Sequence, residues 1–541
     1  MEVLCKQQVI SLVTLLIIPL VQCGVTYIAA VFEHSPYEFP TEDKIPTLAQ
    51  ARHIMNSNLD AYEEAAIEAR FKGAEVIVFP EYGLQGLVKS REYARLYSED
   101  IPEEYEFKKA PCIEQYARNN TPIFSRLSCF AHTNHMIIVA NMLNRKKCDG
   151  KQGHCHSDGY YFFSTHIAFR PDGFLMSTYP KCHRSVIETK WLNSPSKCTP
   201  KRFSYYATFT GPEVLLENPA VILSLRYDAH NLVVPSSWDG APPLMASSQW
   251  LQSWGIRHGV NIITATLHNP GSYRTGSGLF SGADGAKIYY HNNTVFNYND
   301  GTAEAIKLQT GMLLVARLPR NPPKRQVELM PTRDISGPSN KTIIYEKSIN
   351  GGVFKVSPLT GLEGNVSICE GDVCCHAIYE FTGETRLYSL GFYNGYQEHR
   401  SIANTKIYSQ ICTVLQCPID GTRECIKVHR IIAPLFNKLI LAGSFSTRYV
   451  YPSVVATDMD VAPKHWSYGD DDLISKDSLF RAFIKSYRGI EKPLLSATLY
   501  GRVYKKDIFQ SKGITSGCTP FLHTLCVVLL CVVVPPALCK F

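Results

Sequence analysis

Over roughly the first 320 residues, short apolar runs take turns with longer segments of helical spacing, and this alternation restricts the fold more than any other feature. Tyr27-Ile28-Ala29-Ala30-Val31 and Glu75-Val76-Ile77-Val78-Phe79 read as strands. Thr47 to Lys72 has helical spacing, and Gly73 follows it as a glycine stop. Pro122 to His132 predicts a helix and Met136 to Asn141 a strand. Tyr160 to Phe169, the turn Pro171-Asp172-Gly173 and Phe174 to Tyr179 predict a hairpin. Leu232 to Pro235, a helix near Met245 to His258, and Asn261 to Thr266 resume the alternation. Strands joined by crossover helices bury their apolar faces by layering, which predicts an α/β domain over 24–320.

After the segment Asn321-Pro322-Pro323-Lys324-Arg325, which reads as a linker, helical periodicity fades. Short strand-like runs take over, among them Thr342 to Tyr345, Gly352 to Val356 and His376 to Tyr379. A second, mostly β domain is expected from 326 to 510, with no internal repeat and no low-complexity tract. The overall balance, 45% hydrophobic and 19% charged, is that of a globular protein and excludes a disordered chain, a collagen or a coiled coil. The net charge of +7 comes without any basic run longer than Arg145-Lys146-Lys147, so no nucleic-acid partner is expected.

Both ends read as addresses. Lys6 precedes an apolar stretch from Val9 to Val21, too short for a comfortable membrane span, and Gln22-Cys23-Gly24 offers a cleavage site. Residues 1–23 are therefore expected to be a signal peptide. Near the other end, Leu525 to Val534 is apolar but short and is followed by Pro535-Pro536. Small residues Ser511, Gly513, Ser516 and Gly517 precede it across a polar spacer, the layout of a glycolipid-anchor signal over 512–541. Ser511 is the expected lipidation site because Gly513 sits two residues on, with Ser516 as rival. The chain is thus expected at the extracellular face of the cell membrane, or secreted.

Cysteine usage agrees. Of 18 cysteines, two fall in the signal and four in the tail, leaving an even twelve, and full pairing is expected in an oxidising compartment. Short separations favour local partners, but the sequence does not fix the connectivity. Cys148 and His154-Cys155-His156 also fit a metal-ligand pattern; a disulfide is the better reading, and neither metal nor cofactor is expected. Four glycosylation sequons, at Asn119, Asn292, Asn340 and Asn365, point the same way.

Three places carry candidate chemistry. Glu81, in Val78-Phe79-Pro80-Glu81-Tyr82-Gly83, stands just past a buried strand, where α/β proteins place working residues. Lys181 ends the hairpin strand Ser177-Thr178-Tyr179-Pro180-Lys181. Arg274-Thr275-Gly276-Ser277-Gly278-Leu279 is glycine-rich. Singly these are a surface carboxylate, a solvated lysine and a turn. In this order they resemble the nitrilase superfamily of carbon-nitrogen hydrolases. The likeness narrows to its vanin and biotinidase branch through Ala29-Ala30-Val31-Phe32-Glu33-His34, Leu127-Ser128-Cys129, Asn218-Pro219-Ala220-Val221, Asp372-Val373-Cys374-Cys375-His376-Ala377 and Gln410-Ile411-Cys412.

The resemblance implies an αββα sandwich with a vanin-type C-terminal β domain, hydrolysing pantetheine-like or biotinyl amides. In that chemistry a cysteine attacks the amide carbon, a glutamate moves protons and a lysine neutralises the oxyanion. Glu81 matches the proton acceptor, Lys181 the cation and Glu188 a supporting acid. The nucleophile does not match. Where the family reads Phe-Thr-Cys-Phe-Asp, this chain reads Phe209-Thr210-Gly211-Pro212-Glu213, with the spacing to Asn218-Pro219-Ala220 kept. Gly211 stands where the cysteine belongs, and Pro212 lacks the N–H that serves as oxyanion donor. Cys182 is a weak substitute, since a strand neighbour of Lys181 points to the other face. The expectation is an amidase scaffold with impaired catalysis. The alternatives are an active amidohydrolase with another nucleophile and a non-catalytic surface ectodomain.

Overall fold

The computed structural model describes residues 25–39, 44–102, 109–149, 155–298, 301–323, 343–383, 386–419, 425, 433–471 and 479–509. The N-terminal half is built on two sheets. The first runs in the order Ala303–Leu308, Gly311–Pro319, Thr26–His34, Val76–Val78, Ile137–Lys147, Tyr160–Phe169 and Leu175–Pro180, with Ser98–Glu99 paired on Ile137–Lys147. The second runs Thr294–Asn297, Gly285–His291, Ser277–Ser281, Asn261–Thr266, Asn231–Ser236, Tyr206–Thr208 and Lys201–Phe203.

Side chains alternate across a strand, so each central strand feeds two cores. Val31, Val78 and Val139 of the first sheet meet Val233, Ile263 and Leu279 of the second in the inter-sheet core. Their neighbours Phe32, Ile77 and Ile138 face the helices Leu48–Phe71 and Pro122–Asn134. On the far side, Trp250, Leu251 and Trp254 of the helix Ser247–His258 cover Leu232, Val234 and Ile262. The order is therefore helix, sheet, sheet, helix, an αββα sandwich.

Local signals explain the boundaries. Thr47 and Gln50 cap the long helix reciprocally, and Gly73 leaves it with φ +81°, where glycine has no steric penalty. Pro122 opens its helix at the first turn, and His135 ends it in the left-handed region.

The C-terminal half is two antiparallel sheets. One runs Tyr345–Ile349, Gly352–Pro358, Tyr388–His399, Ile402–Gln416, Leu494–Arg502 and Val450–Ala456; the other runs Glu363–Glu370, Val373–Phe381, Phe436–Phe445, Phe480–Ser486 and Ser467–Asp470. The first strand begins at Tyr345, the last residue of the run expected from Thr342, which itself lies outside the described residues. The two halves share a core: the Trp250 ring lies 5.0 Å from both Tyr451 and Tyr500. Among the described residues, no helix is long and apolar enough to cross a membrane.

Candidate active site

Glu81 follows the strand Val76–Val78 and is fully buried. Its Oε1 accepts from Lys181 Nζ and from Ser164 Oγ, both at 3.0 Å, and its Oε2 accepts from Ser237 Oγ at 3.0 Å. Lys181 Nζ also donates to Glu188 Oε1 at 2.8 Å. Glu188 is held by the Ser185 N–H at 2.6 Å and by the Tyr82 hydroxyl. The ring closes through Asn141, whose Oδ1 accepts from the Tyr82 N–H at 3.1 Å and whose Nδ2 donates to Ser164 Oγ at 2.8 Å. Tyr82 occupies the left-handed region at φ 63°, an uncommon state for a bulky residue and one that the Asn141 contact holds in place.

Two carboxylates share one ammonium, and they do not respond alike. Burial, with the charge of Glu188 beside it, pushes Glu81 up despite Lys181. Burial would also raise Glu188, but the Lys181 charge and the hydrogen bonds from Lys181, Tyr82 and Ser185 outweigh it and hold Glu188 down. Burial opposes charge on Lys181, yet the two carboxylates outweigh it and raise its pKa. The result is a fixed cation beside one carboxyl that takes up a proton more readily than the other.

These groups front a cavity of about 580 Å³, lined by Tyr82, Lys181, Glu188, Trp191, Pro212 and Ser237. Arg400 and Ser401, from the turn after the C-terminal strand Tyr388–His399, reach its rim. The Val186 N–H donates to Arg400 O at 3.0 Å, and the Ala403 N–H to Arg184 O at 2.7 Å, docking that turn on the loop after Lys181.

Gly211 begins the single helical turn Gly211–Leu215 just past the strand Tyr206–Thr208. A Cβ placed on Gly211 would lie 2.2 Å from Ser236 Oγ and 3.0 Å from Ser236 Cβ, so the serine occupies the space a side chain would need. Glu213 is fully buried and binds this turn to the segment bearing Lys181. It accepts from the Thr210 N–H at 2.9 Å, Tyr179 Oη at 2.8 Å, and the Cys182 and His183 N–H groups at 2.9 and 3.0 Å.

The glycine-rich run has a structural use. Glu33 Oε2 accepts from the Gly276 and Ser277 N–H groups at 3.1 and 2.8 Å, while its Oε1 accepts from Thr275 Oγ1 at 2.7 Å. Gly276 makes this approach at φ +112°, a conformation L side chains rarely adopt.

Expected full cysteine pairing needs correction. Cys112–Cys129, Cys148–Cys155, Cys369–Cys374, Cys375–Cys412 and Cys417–Cys425 are disulfides, but Cys182 and Cys198 are free. The two thiols hydrogen-bond instead; this bond, with His183 beside it, lowers Cys198 to about 6 and raises Cys182. Asn119 and Asn292 are exposed and Asn365 is half-buried, all apart from the cavity, whereas Asn340, Ser511 and the two terminal address segments lie outside the described residues. Asn141, Ser164, Ser237 and Glu213 were not legible as site residues in the sequence; only polar types inside or just past apolar strands mark them.

Residues 47–214 match the model for the carbon-nitrogen hydrolase family, and residues 345–507 match that of the vanin C-terminal domain. The chain is a vanin-like member of the carbon-nitrogen hydrolase family. It is 29% identical to a pantetheinase of Mus musculus over 93% of this chain and 95% of the relative. It is 28% identical to a pantetheinase of Homo sapiens, covering 96% of each, and 27% identical to a biotinidase of Bos taurus, covering 89% of this chain and 93% of that one. An amidase structure from Nesterenkonia sp. overlaps 56% of this chain and 94% of its own at 17% identity, with a TM-score of 0.38. The vanin-like chain thus carries Glu81, Lys181 and Glu188 in one hydrogen-bonded network, with Gly211 and Pro212 on the segment that reaches the same cavity.

Proposed function

We propose that this vanin-like protein binds a small pantetheine-like or biotinyl amide in the cavity beside Lys181 and has lost the thiol route for cleaving it. The observation that carries this reading is Gly211-Pro212, with Ser236 Oγ filling the place of a side chain on residue 211. Glycine forms no acyl intermediate, and loss of a nucleophile costs on the order of 10⁶ in rate. Loss of an oxyanion N–H costs about 10²–10³ more where the terms are independent. What remains is a buried cation and a carboxyl that hold an amide carbonyl and its neighbours by hydrogen bonds.

The test uses the purified ectodomain. Pantetheine or a biotinyl amide is expected to raise its melting temperature, while a chromogenic pantothenate amide shows no turnover above a Glu81→Ala control. Amide turnover at ordinary enzymatic rates overturns the reading. The reading extends to location: a secreted glycoprotein with a glycolipid attached at Ser511. Release of cell-surface protein by phosphatidylinositol-specific phospholipase C tests that part, and retention on the cell overturns it.

A further inference from the structure

Two hydroxyls bond to Glu81, and they differ in access. Ser164 Oγ is fully buried within the first sheet and also accepts from Asn141. Ser237 is only partly buried, lines the cavity, and donates to Glu81 Oε2 at 3.0 Å. Other hydroxyls at the cavity lack that relation: Tyr82 donates to Glu188, and Ser185 Oγ accepts from the Glu188 N–H at 3.3 Å.

Ser237 is also held in place. It follows the strand Asn231–Ser236 at its carboxyl end. Arg274 Nε donates to Ser237 O at 3.1 Å, and the Trp238 N–H donates to Ser236 Oγ at 3.2 Å. A hydroxyl within hydrogen-bond reach of a carboxylate, which is itself oriented by a third group, is the arrangement of an activated nucleophile. Here the third group is Lys181, on the other oxygen of Glu81. An ammonium has three protons, and Lys181 directs two of them to Glu81 and Glu188. One is left for the oxygen of a bound acyl group.

We propose that Ser237 is an acyl-accepting nucleophile, with Glu81 as its base and Lys181 as its oxyanion cation, acting on small esters and thioesters. Ser237 Oγ forms a bond to the acyl carbon as its proton passes to Glu81. The C–O or C–S bond of the substrate then breaks, and the leaving alcohol or thiol takes the proton from Glu81. Water next attacks the acyl-serine, giving a proton to Glu81; the Oγ–C bond breaks, Oγ recovers the proton and the carboxylic acid departs. Good leaving groups are required because Pro212 supplies no N–H to the oxyanion. This goes beyond amide binding and does not depend on it.

The experiment mixes the ectodomain with p-nitrophenyl acetate. A burst of about one nitrophenolate per chain is expected, with the acetyl group mapped by mass spectrometry to Ser237. Ser237→Ala abolishes the burst while staying folded by circular dichroism, and Glu81→Gln slows it by about 10²–10⁴, the usual weight of a general base. Ser237→Cys, close in size, accepts the acetyl group as a thioester at the same residue. Absence of a burst, acetyl groups on lysines or tyrosines instead, or an unchanged burst in Ser237→Ala overturns the proposal. Failure of pantetheine to shift the melting temperature would overturn the binding reading alone, since the burst is read without it.

Discussion

Ser236 Oγ lies 2.2 Å from the point that a Cβ on Gly211 would occupy. Ser236 ends the strand Asn231–Ser236, and Gly211 opens the turn that follows the neighbouring strand Tyr206–Thr208, so the serine side chain takes the space beside the glycine. A cysteine introduced at 211 must therefore displace Ser236, whose Cβ is itself only 3.0 Å away. Gly211→Cys alone is expected to destabilise the fold by about 1–3 kcal/mol, the usual cost of overpacking, measured by urea denaturation. Adding Ser236→Gly removes both crowded atoms and is expected to return most of that stability. With Pro212→Phe as well, which restores an N–H, the triple variant is expected to trap an acyl-thioester from the chromogenic amide, read by intact mass.

Buried Lys181 forms salt bridges to both Glu81 and Glu188. Lys181→Met would leave two carboxylates without their counter-charge. Breaking a buried pair in this way costs about 3–5 kcal/mol. Adding Glu188→Gln removes one stranded charge, so the double variant is expected to be more stable than Lys181→Met. Chemical denaturation of the three proteins checks the order; a double variant less stable than the single one would show that Glu188 is not held by Lys181.

Periodicity made the layers legible. The strands at Thr26–His34 and Asn261–Thr266, the helix Leu48–Phe71 and the hairpin around Gly173 follow from patterns internal to each segment. The network around Lys181 does not. Asn141, Ser164 and Ser237 are ordinary polar residues until three strands bring them together, and nothing local marks their convergence. The glycine-rich run was visible, but its partner Glu33 lies 243 residues from Gly276 in sequence, so its structural use was not. Gly211 stood out in the sequence through the spacing of its flanking residues; that Ser236 crowds it is a fact of packing alone.

Buried histidines set the acid response. Burial lowers His34 and His291 to about 4 and His166 to about 3, against 6.5 for a free imidazole. Below pH 6.5 the unfolded chain binds protons that the folded chain refuses until its lower values are reached. Stability is therefore present above about pH 6.5 and lost as pH falls toward 4, at about 1.4 kcal/mol per pH unit for each such group inside the window. Glu99 works the other way: burial raises it to about 7, so the folded state gains as pH falls from 7 toward its ordinary value. His258 and His399 are lowered by burial in the same way, to about 3 and about 4, and these five histidines against this carboxyl predict a falling melting temperature from pH 7 to pH 4.5. His34→Gln, which keeps a donor for Asn58 but no titrating group, is expected to flatten that slope.

Arg502 couples the two halves at the very turn that carries Gly211. It is fully buried on the C-terminal strand Leu494–Arg502, yet its Nε and Nη2 donate to Leu215 O at 3.1 and 3.0 Å. Leu215 closes the turn Gly211–Leu215. The same guanidinium bonds Tyr408 O and meets Asp507 at 2.7 Å, so its charge is paired and its donors are used. Arg502→Met removes all of these bonds while keeping much of the volume. It strands Asp507 and orphans Leu215 O, a loss of about 3–5 kcal/mol by the cost of breaking a buried pair. Because the arginine bridges the halves, the loss is expected in both. Hydrogen exchange should rise at the amides of Glu213 and Leu216 as well as in the C-terminal sheet. Faster exchange confined to the C-terminal sheet would show that the turn at Gly211 holds its shape without Arg502.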